Sequence, residues 1–298
     1  MEPVVTVGLD GSPESLDGSP ESLAAARWAA DEAERCGFAL RLLHAWPLLA
    51  AEPPGVPAEA DQNYWARRIV DRTGAELRAR HPGLSVVDDL VAEDAEQALM
   101  RAAAESEMVV LGSRGLLPVE SYFLGDVGMH VVAHAERPVV LVRAGAGGEG
   151  ARPDRTGAGG VAVALKLHGP CEALLEFGFR TAAARGVPLR AVHGRSLPVD
   201  AYVPWGVDHE VAEEVAQEAQ ELLDRTLRPW RDRFPQVEAV DGLALTSPAK
   251  AVVRAAEDAD LLIVGRRRHR RPLAPHLGSV AQAAIHHARC PVAVVPHE

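Results

Sequence analysis

The chain has 298 residues, 47% of them hydrophobic and 24% charged, and a formal net charge of −11. The length allows two ordinary domains with separate cores, and the composition is that of a globular protein, not a disordered one. The acidity argues against general affinity for nucleic acid or an anionic membrane surface.

In chain order, Met1-Glu2-Pro3-Val4-Val5 enters an apolar run without a basic leader, so no signal peptide is expected and the expected location is the cytoplasm. The run Val4–Leu9 predicts a strand, bounded by Asp10-Gly11-Ser12-Pro13. Residues 10–16, DGSPESL, are repeated at once as residues 17–23. A helix is predicted from about Leu23 to Arg35, a strand over Leu40–Ala45, a helix over 64–80, a strand over Leu84–Val91 and a helix over Ala95–Ala104. A buried strand, Met108–Leu111, then leads to a glycine loop, Gly112-Ser113-Arg114-Gly115, and past nine residues to Gly125. A helix over about 125–135 and a strand over Pro138–Val142 close the first half. The Gly-rich stretch 144–160 cannot bury a core and is expected to be a linker between domains at 1–143 and 161–298.

The second half repeats the first. Gly112, Gly125, His134 and Pro138 match Gly265, Gly278, His287 and Pro291 at an offset of 153. Leu43-His44-Ala45 parallels Val192-His193-Gly194 at 149, while Val5–Leu9 matches Val161–Leu165 at 156. The difference of seven equals the length of the duplicated segment, which the second half lacks. Two copies of one unit fit this arithmetic. Within each copy, alternating strands and helices imply a parallel sheet with crossover helices, whose ligands bind beyond the carboxyl ends of the strands.

Glycines at such strand ends let backbone N–H groups approach an anion, and a following helix start adds a favourable dipole; the same residues also serve as an ordinary turn. G-x-x-G, nine residues, then G with a hydroxyl residue, a helix, and a Pro-Val-x-Val-Val strand is similar to the carboxyl-terminal signature of ATP-binding universal stress proteins. Val7-Gly8-Leu9-Asp10-Gly11-Ser12 resembles that family's first strand and adenine-contacting Asp, and Leu43-His44-Ala45 its second strand. The resemblance implies two tandem flavodoxin-like α/β domains, each a doubly wound, five-stranded parallel sheet of order 3-2-1-4-5. It also implies regulatory adenine-nucleotide binding in the stress response and no established enzymatic reaction. The nucleotide contacts it implies are Asp10, Ala45 (through backbone), Gly112, Arg114, Gly115, Gly125 and Asp126 in the first copy. In the second they are Gly265, Arg266, Arg268, Gly278 and Ser279.

Both copies depart from the pattern. Asp126 stands at the hydroxyl position; ionised, it cannot donate to a phosphate, so it either recruits a divalent cation such as Mg²⁺ or simply starts the helix. Asp17 competes with Asp10 as the adenine contact, and Asp10 is preferred because a strand end is fixed in place. In the second copy Lys166 replaces that Asp and Arg268 replaces the second loop glycine. The loop from Gly265 to Pro272 carries five arginines, able to hold phosphate, to contact nucleic acid, or to stand solvated. ATP is therefore expected mainly in the first copy. His44 and His193 are either core residues or metal ligands, and Trp28, Trp65, Trp205 and Trp230 fit packing roles.

No Walker-type lysine follows the glycines and no catalytic triad pattern appears, so a non-enzymatic role is expected. The alternative function is an interaction protein whose nucleotide sites have degenerated. The final strands, Pro138–Val142 and Pro291–Val295, are apolar and β-branched; they are expected to pair the two domains, with a homodimer as a further option.

Overall fold

The computed structural model describes residues 2–11, 18–47, 63–113, 126–144, 159–203, 206–268 and 277–298. The chain divides into two compact units, Met1–Pro153 and Asp154–Glu298. In the first, the order is β1 (Val4–Gly8), α1 (Pro20–Cys36), β2 (Ala39–Ala45), α2 (Tyr64–Arg80), β3 (Val86–Val91), α3 (Ala95–Glu105), β4 (Met108–Ser113), α4 (Asp126–His134) and β5 (Val139–Arg143). In the second it is β6 (Gly160–Ala164), α5 (Glu172–Arg185), β7 (Leu189–Gly194), a short antiparallel hairpin of β8 (Tyr202–Val203) and β9 (Gly206–Val207), α6 (His209–Arg233), β10 (Ala239–Ala244), α7 (Pro248–Ala255), β11 (Ala259–Arg267), α8 (Ser279–His287) and β12 (Val292–His297).

Within the first unit the strands lie in the order β3-β2-β1-β4-β5, all parallel, and within the second in the equivalent order β10-β7-β6-β11-β12. This is the expected 3-2-1-4-5 doubly wound arrangement. Right-handed crossovers leading outward from the first strand, and then back across it, place the helices on opposite faces. Accordingly α1 packs with α2 and α3 with α4, and in the second unit α7 packs with α8. The central strands are covered on both sides and read as mostly apolar runs, with Val5, Val7, Val109 and Val110 inaccessible to solvent.

Helix α1 starts three residues earlier than its apolar pattern suggests, because Ser19 is an N-cap whose hydroxyl accepts the Ser22 N–H at 3.1 Å and Pro20 opens the first turn. It ends on Gly37 in the left-handed conformation (φ 66°), which returns its N–H to the last carbonyls of the helix. The face it turns to the sheet is Ala25, Ala26, Ala29, Ala30 and Ala33, small enough to let helix and sheet approach closely.

Two segments expected to be loops are strand instead. β4 continues through Gly112 and Ser113, paired with Val142 and Arg143 of β5. β11 continues through Gly265, Arg266 and Arg267, because β12 runs on to His297 and supplies partners as far as Arg267. Backbone pairing overrides the local glycine and charge pattern, since each extra ladder position satisfies donors and acceptors that a loop would have left to water.

Ser19 lies beside the start of the duplication, where its N–H donates to Asp10 Oδ1 at 3.2 Å. Removing residues 17–23 takes Ser19 away and puts its equivalent Ser12, the second residue after Asp10, in its place, the spacing of an Asx turn. The deletion variant is therefore expected to unfold as cooperatively as the parent, with a change on the order of 1 kcal/mol from loop shortening. A broadened or absent calorimetric transition for the first unit would show that the extra copy carries structure.

Candidate functional site

The strand order reverses between β1 and β4 in the first unit and between β6 and β11 in the second, and the candidate site of each lies at the carboxyl ends of these strands. In the first unit, Gly8 is level with Leu43 of β2 and Leu111 of β4. Asp10, Ala45 and the Gly112-Ser113 end of β4 therefore emerge at one edge of the sheet.

Asp10 is held there from both sides. The Leu9 N–H donates to the Leu43 carbonyl at 2.8 Å, and the Leu9 carbonyl accepts from His44 Nδ1 at 2.9 Å. A carbonyl only accepts, so the His44 proton is on Nδ1. The histidine thus acts as a third hydrogen-bonding strut that fixes where β1 ends. The second unit repeats the device: the Leu165 N–H donates to the Val192 carbonyl at 2.8 Å, and His193 Nδ1 donates to the Leu165 carbonyl at 3.0 Å. What this strut presents is Asp10 in one unit and Lys166 in the other. The core alternative for the two histidines is the one their geometry supports.

Gly112 has a cause that the glycine-loop reading did not contain. A Cβ there would lie 2.6 Å from the Glu21 carbonyl carbon and 2.7 Å from the Ser22 nitrogen, both backbone atoms of the first turn of α1. The glycine admits the helix start against β4, and so helps to carry Ser19 to Asp10. Gly265 differs: the atoms nearest a Cβ there belong to the His297 ring at 2.7 Å and the Leu174 side chain at 3.2 Å. Gly194, the counterpart of Ala45, lies against the backbone of Pro248 at the start of α7, where a Cβ would come within 2.6 Å.

Asp126 is exposed in the first turn of α4, where a carboxylate complements the positive end of the helix. Among the described residues no group of three His, Cys, Asp or Glu side chains is placed to hold a metal ion. Arg114, Gly115 and Gly125 lie outside the described residues, as do Asp17, Trp205 and the arginines at 270 and 271.

Beside Ala45, Trp46 escaped the sequence reading, which weighed His44 only as a core residue or metal ligand. Trp46 extends β2 by donating its backbone N–H to Val91 at 2.8 Å, and its indole lies nearly parallel to His44 with centroids 6.4 Å apart. Among the described residues, the buried indole N–H of Trp46 and the buried Nε2 of His44 both lack a hydrogen-bond partner. One is a donor and the other an acceptor, and an unsatisfied buried pair is the kind of cost retained at a binding site. A tryptophan directly after a predicted strand was the available signal. Such a pair at a strand end fits a heteroaromatic ligand bearing both donors and acceptors.

In the second unit, Arg195 occupies the Trp46 position and donates its backbone N–H to Ala244 at 2.9 Å. Its guanidinium lies 3.4 Å from His168 and 3.4 Å from Glu218. Arg266 is only 5% exposed, which removes it from the solvated-loop reading, whereas Arg267 and Arg268 are exposed. Burial lowers the His297 pKa, and the charges of Arg267 and Arg266 lower it further. Ser279 opens α8 behind Gly278, a cap that makes no side-chain hydrogen bond.

The model of the Universal stress protein family matches residues 4–143 and 160–296. The chain is 31% identical over 297 residues to universal stress protein Rv2005c of Mycobacterium tuberculosis, an alignment covering 97% of this chain and 96% of that protein. It is 28% identical over 316 residues to universal stress protein Rv1996 of the same organism, covering 97% and 94%. Among solved structures, a universal stress protein from Archaeoglobus fulgidus superposes with a TM-score of 0.62 at 15% identity, covering 99% of this chain and 98% of that one.

Proposed function

Since this chain belongs to the universal stress protein family, we propose that it is a regulatory protein that binds an adenine nucleotide, ATP or a close relative, mainly through its first unit. The observation that carries this reading is the fixed placement of Asp10 at the switch point. Leu9 is tied through both its N–H and its carbonyl, and Asp10 is itself bonded to the start of α1.

In this reading the Asp10 carboxylate accepts from the adenine edge and the backbone at Ala45 lines the base. The Trp46 indole N–H and His44 Nε2, each without a partner among the described residues, supply a donor and an acceptor at the same end of the sheet. The start of α4 faces the phosphates. The role is binding and not turnover, because no lysine or nucleophile–base pair of a known ATP-consuming motif accompanies these groups in the sequence. The proposal extends to association of the two units through β5 and β12, each the terminal strand of its own unit and each apolar.

Titration calorimetry of the full chain with ATP and AMP tests the site. Asp10→Ala is expected to weaken both ligands by about tenfold to a hundredfold, the worth of one hydrogen bond to a charged group. Lys166→Ala is expected to leave AMP affinity within about twofold, well under the 1.4 kcal/mol of a tenfold change. Equal losses in the two variants, or no loss in Asp10→Ala, would reject the assignment to the first unit.

A further inference from the structure

The second unit keeps the fold and the switch point but places a cation at each of three strand ends where the first unit has an acidic or a neutral residue. Where the first unit presents Asp10, Trp46 and Ser113 at the ends of β1, β2 and β4, the second presents Lys166, Arg195 and Arg266 at the ends of β6, β7 and β11. Arg267 and Arg268 follow directly, so five cations stand at the ends of three adjacent strands.

These cations are not scattered on a flexible loop. Arg266 and Arg267 are ladder positions paired with Pro296 and His297, and the Arg268 N–H donates to the His297 carbonyl at 2.7 Å. Lys166 follows a residue tied on both sides by the His193 strut. Burial does most to lower the His297 pKa, and the charges of Arg267 and Arg266 add to it. The exposed Glu218 lies 3.4 Å from Arg195, and Glu298 follows His297.

The exchange of Asp10 for Lys166 also changes what can be recognised. A carboxylate accepts from the exocyclic amine of adenine, whereas an ammonium only donates and repels that amine. Lysine and arginine instead match phosphate oxygens, arginine often in bidentate fashion. The uncapped first turn of α8, beginning at Gly278-Ser279, adds backbone donors at the end of the connection from β11.

We propose that the carboxyl-end crevice of the second unit is a site for a compact polyphosphate anion, recognised through its phosphates without contact to a base. The ligand class is an inorganic phosphate chain or the phosphate chain of a nucleotide whose base stays outside. The proposal is independent of the adenine site in the first unit.

The test uses the full chain and sodium tripolyphosphate as the calorimetric probe, with adenosine, AMP and a short single-stranded oligonucleotide as competitors. One equivalent of tripolyphosphate is expected to bind, undisturbed by adenosine or AMP. The paired change Lys166→Gln and Arg268→Gln, at two exposed positions, is expected to weaken it at least tenfold while AMP binding and the melting profile stay as in the parent. Lys166→Gln alone provides a milder version should the pair unfold. If ATP competes and adenosine does not, the nucleotide's phosphate chain is an alternative source of the same ligand. Tripolyphosphate binding that survives both changes, that is lost in Asp10→Ala instead, or that the oligonucleotide matches at equal phosphate concentration would overturn the proposal, as would the absence of binding at millimolar tripolyphosphate.

Discussion

Replacing Gly112 with valine is expected to destabilise the first unit by about 3 kcal/mol, the upper part of the range for overpacked interiors. The added Cβ would sit 2.6–2.8 Å from backbone atoms of Glu21 and Ser22, and backbone inside a helix turn cannot rotate away as a side-chain tip can. Relief requires α1 to shift off β4. That shift withdraws Ser19 from Asp10, so nucleotide affinity should fall along with stability. Differential scanning calorimetry should show the first unit melting roughly 10 °C lower, on the usual scaling of melting temperature with stability for a domain of this size. Gly265→Val is the matched control, since the atoms nearest its new Cβ belong to the His297 ring and the Leu174 side chain. If the two substitutions proved equally mild, the packing account of Gly112 would be wrong, and the glycine would stand there for the ligand alone.

Phe179→Ala is expected to cost the second unit about 3–5 kcal/mol, the usual range for truncating a buried aromatic ring. Phe179 on α5 is completely inaccessible to solvent. Its ring lies 5.9 Å from Trp230 on α6 and 5.5 Å from Phe234 just beyond it, while Trp230 and Phe234 stand 6.3 Å apart. Truncation removes one corner of this triangle of rings and leaves a cavity where α5 and α6 meet. The near-ultraviolet circular dichroism of Trp230 should diminish, and the second unit should melt roughly 10 °C or more below the parent. The first unit should keep its transition, because its core contains none of these rings. A shift under about 3 °C would mean that α5 and α6 derive their attachment from elsewhere.

The alternation of elements, the repeat and the family were legible because they rest on long apolar runs and on offsets that any reader of the chain can check. Helix α2 falls at 64–80, as its periodicity predicts, and both sheets have the expected strand order. The ends of β4 and β11 were not legible. Whether Gly112 or Arg266 is strand or loop depends on how far β5 and β12 run alongside, which local sequence does not encode.

The reason for Gly112 was hidden for a similar cause: the atoms it accommodates lie about ninety residues earlier in the chain, in the first turn of α1. The histidine pair was visible as a pair, yet its task of pinning Leu9 and Leu165 appears only once strand partners are known. Trp46 was overlooked because a tryptophan after a strand reads as packing, and only its indole nitrogen, unpartnered among the described residues, marks it out. Arg266 ran the other way. A basic cluster reads as surface, and the burial of its first member follows from its place inside the β11 ladder.

The central claim is that adenine is recognised by the first unit and not by the second. Photolabelling of the full chain with 8-azido-ATP, followed by peptide mapping, addresses it most directly, because the reactive group sits on the base. The expected result is saturable labelling confined to peptides from residues 2–144, competed by AMP and strongly reduced in Asp10→Ala at the same ligand concentration. Labelling of peptides from residues 159–298 to the same extent, or labelling that AMP does not compete, would contradict it.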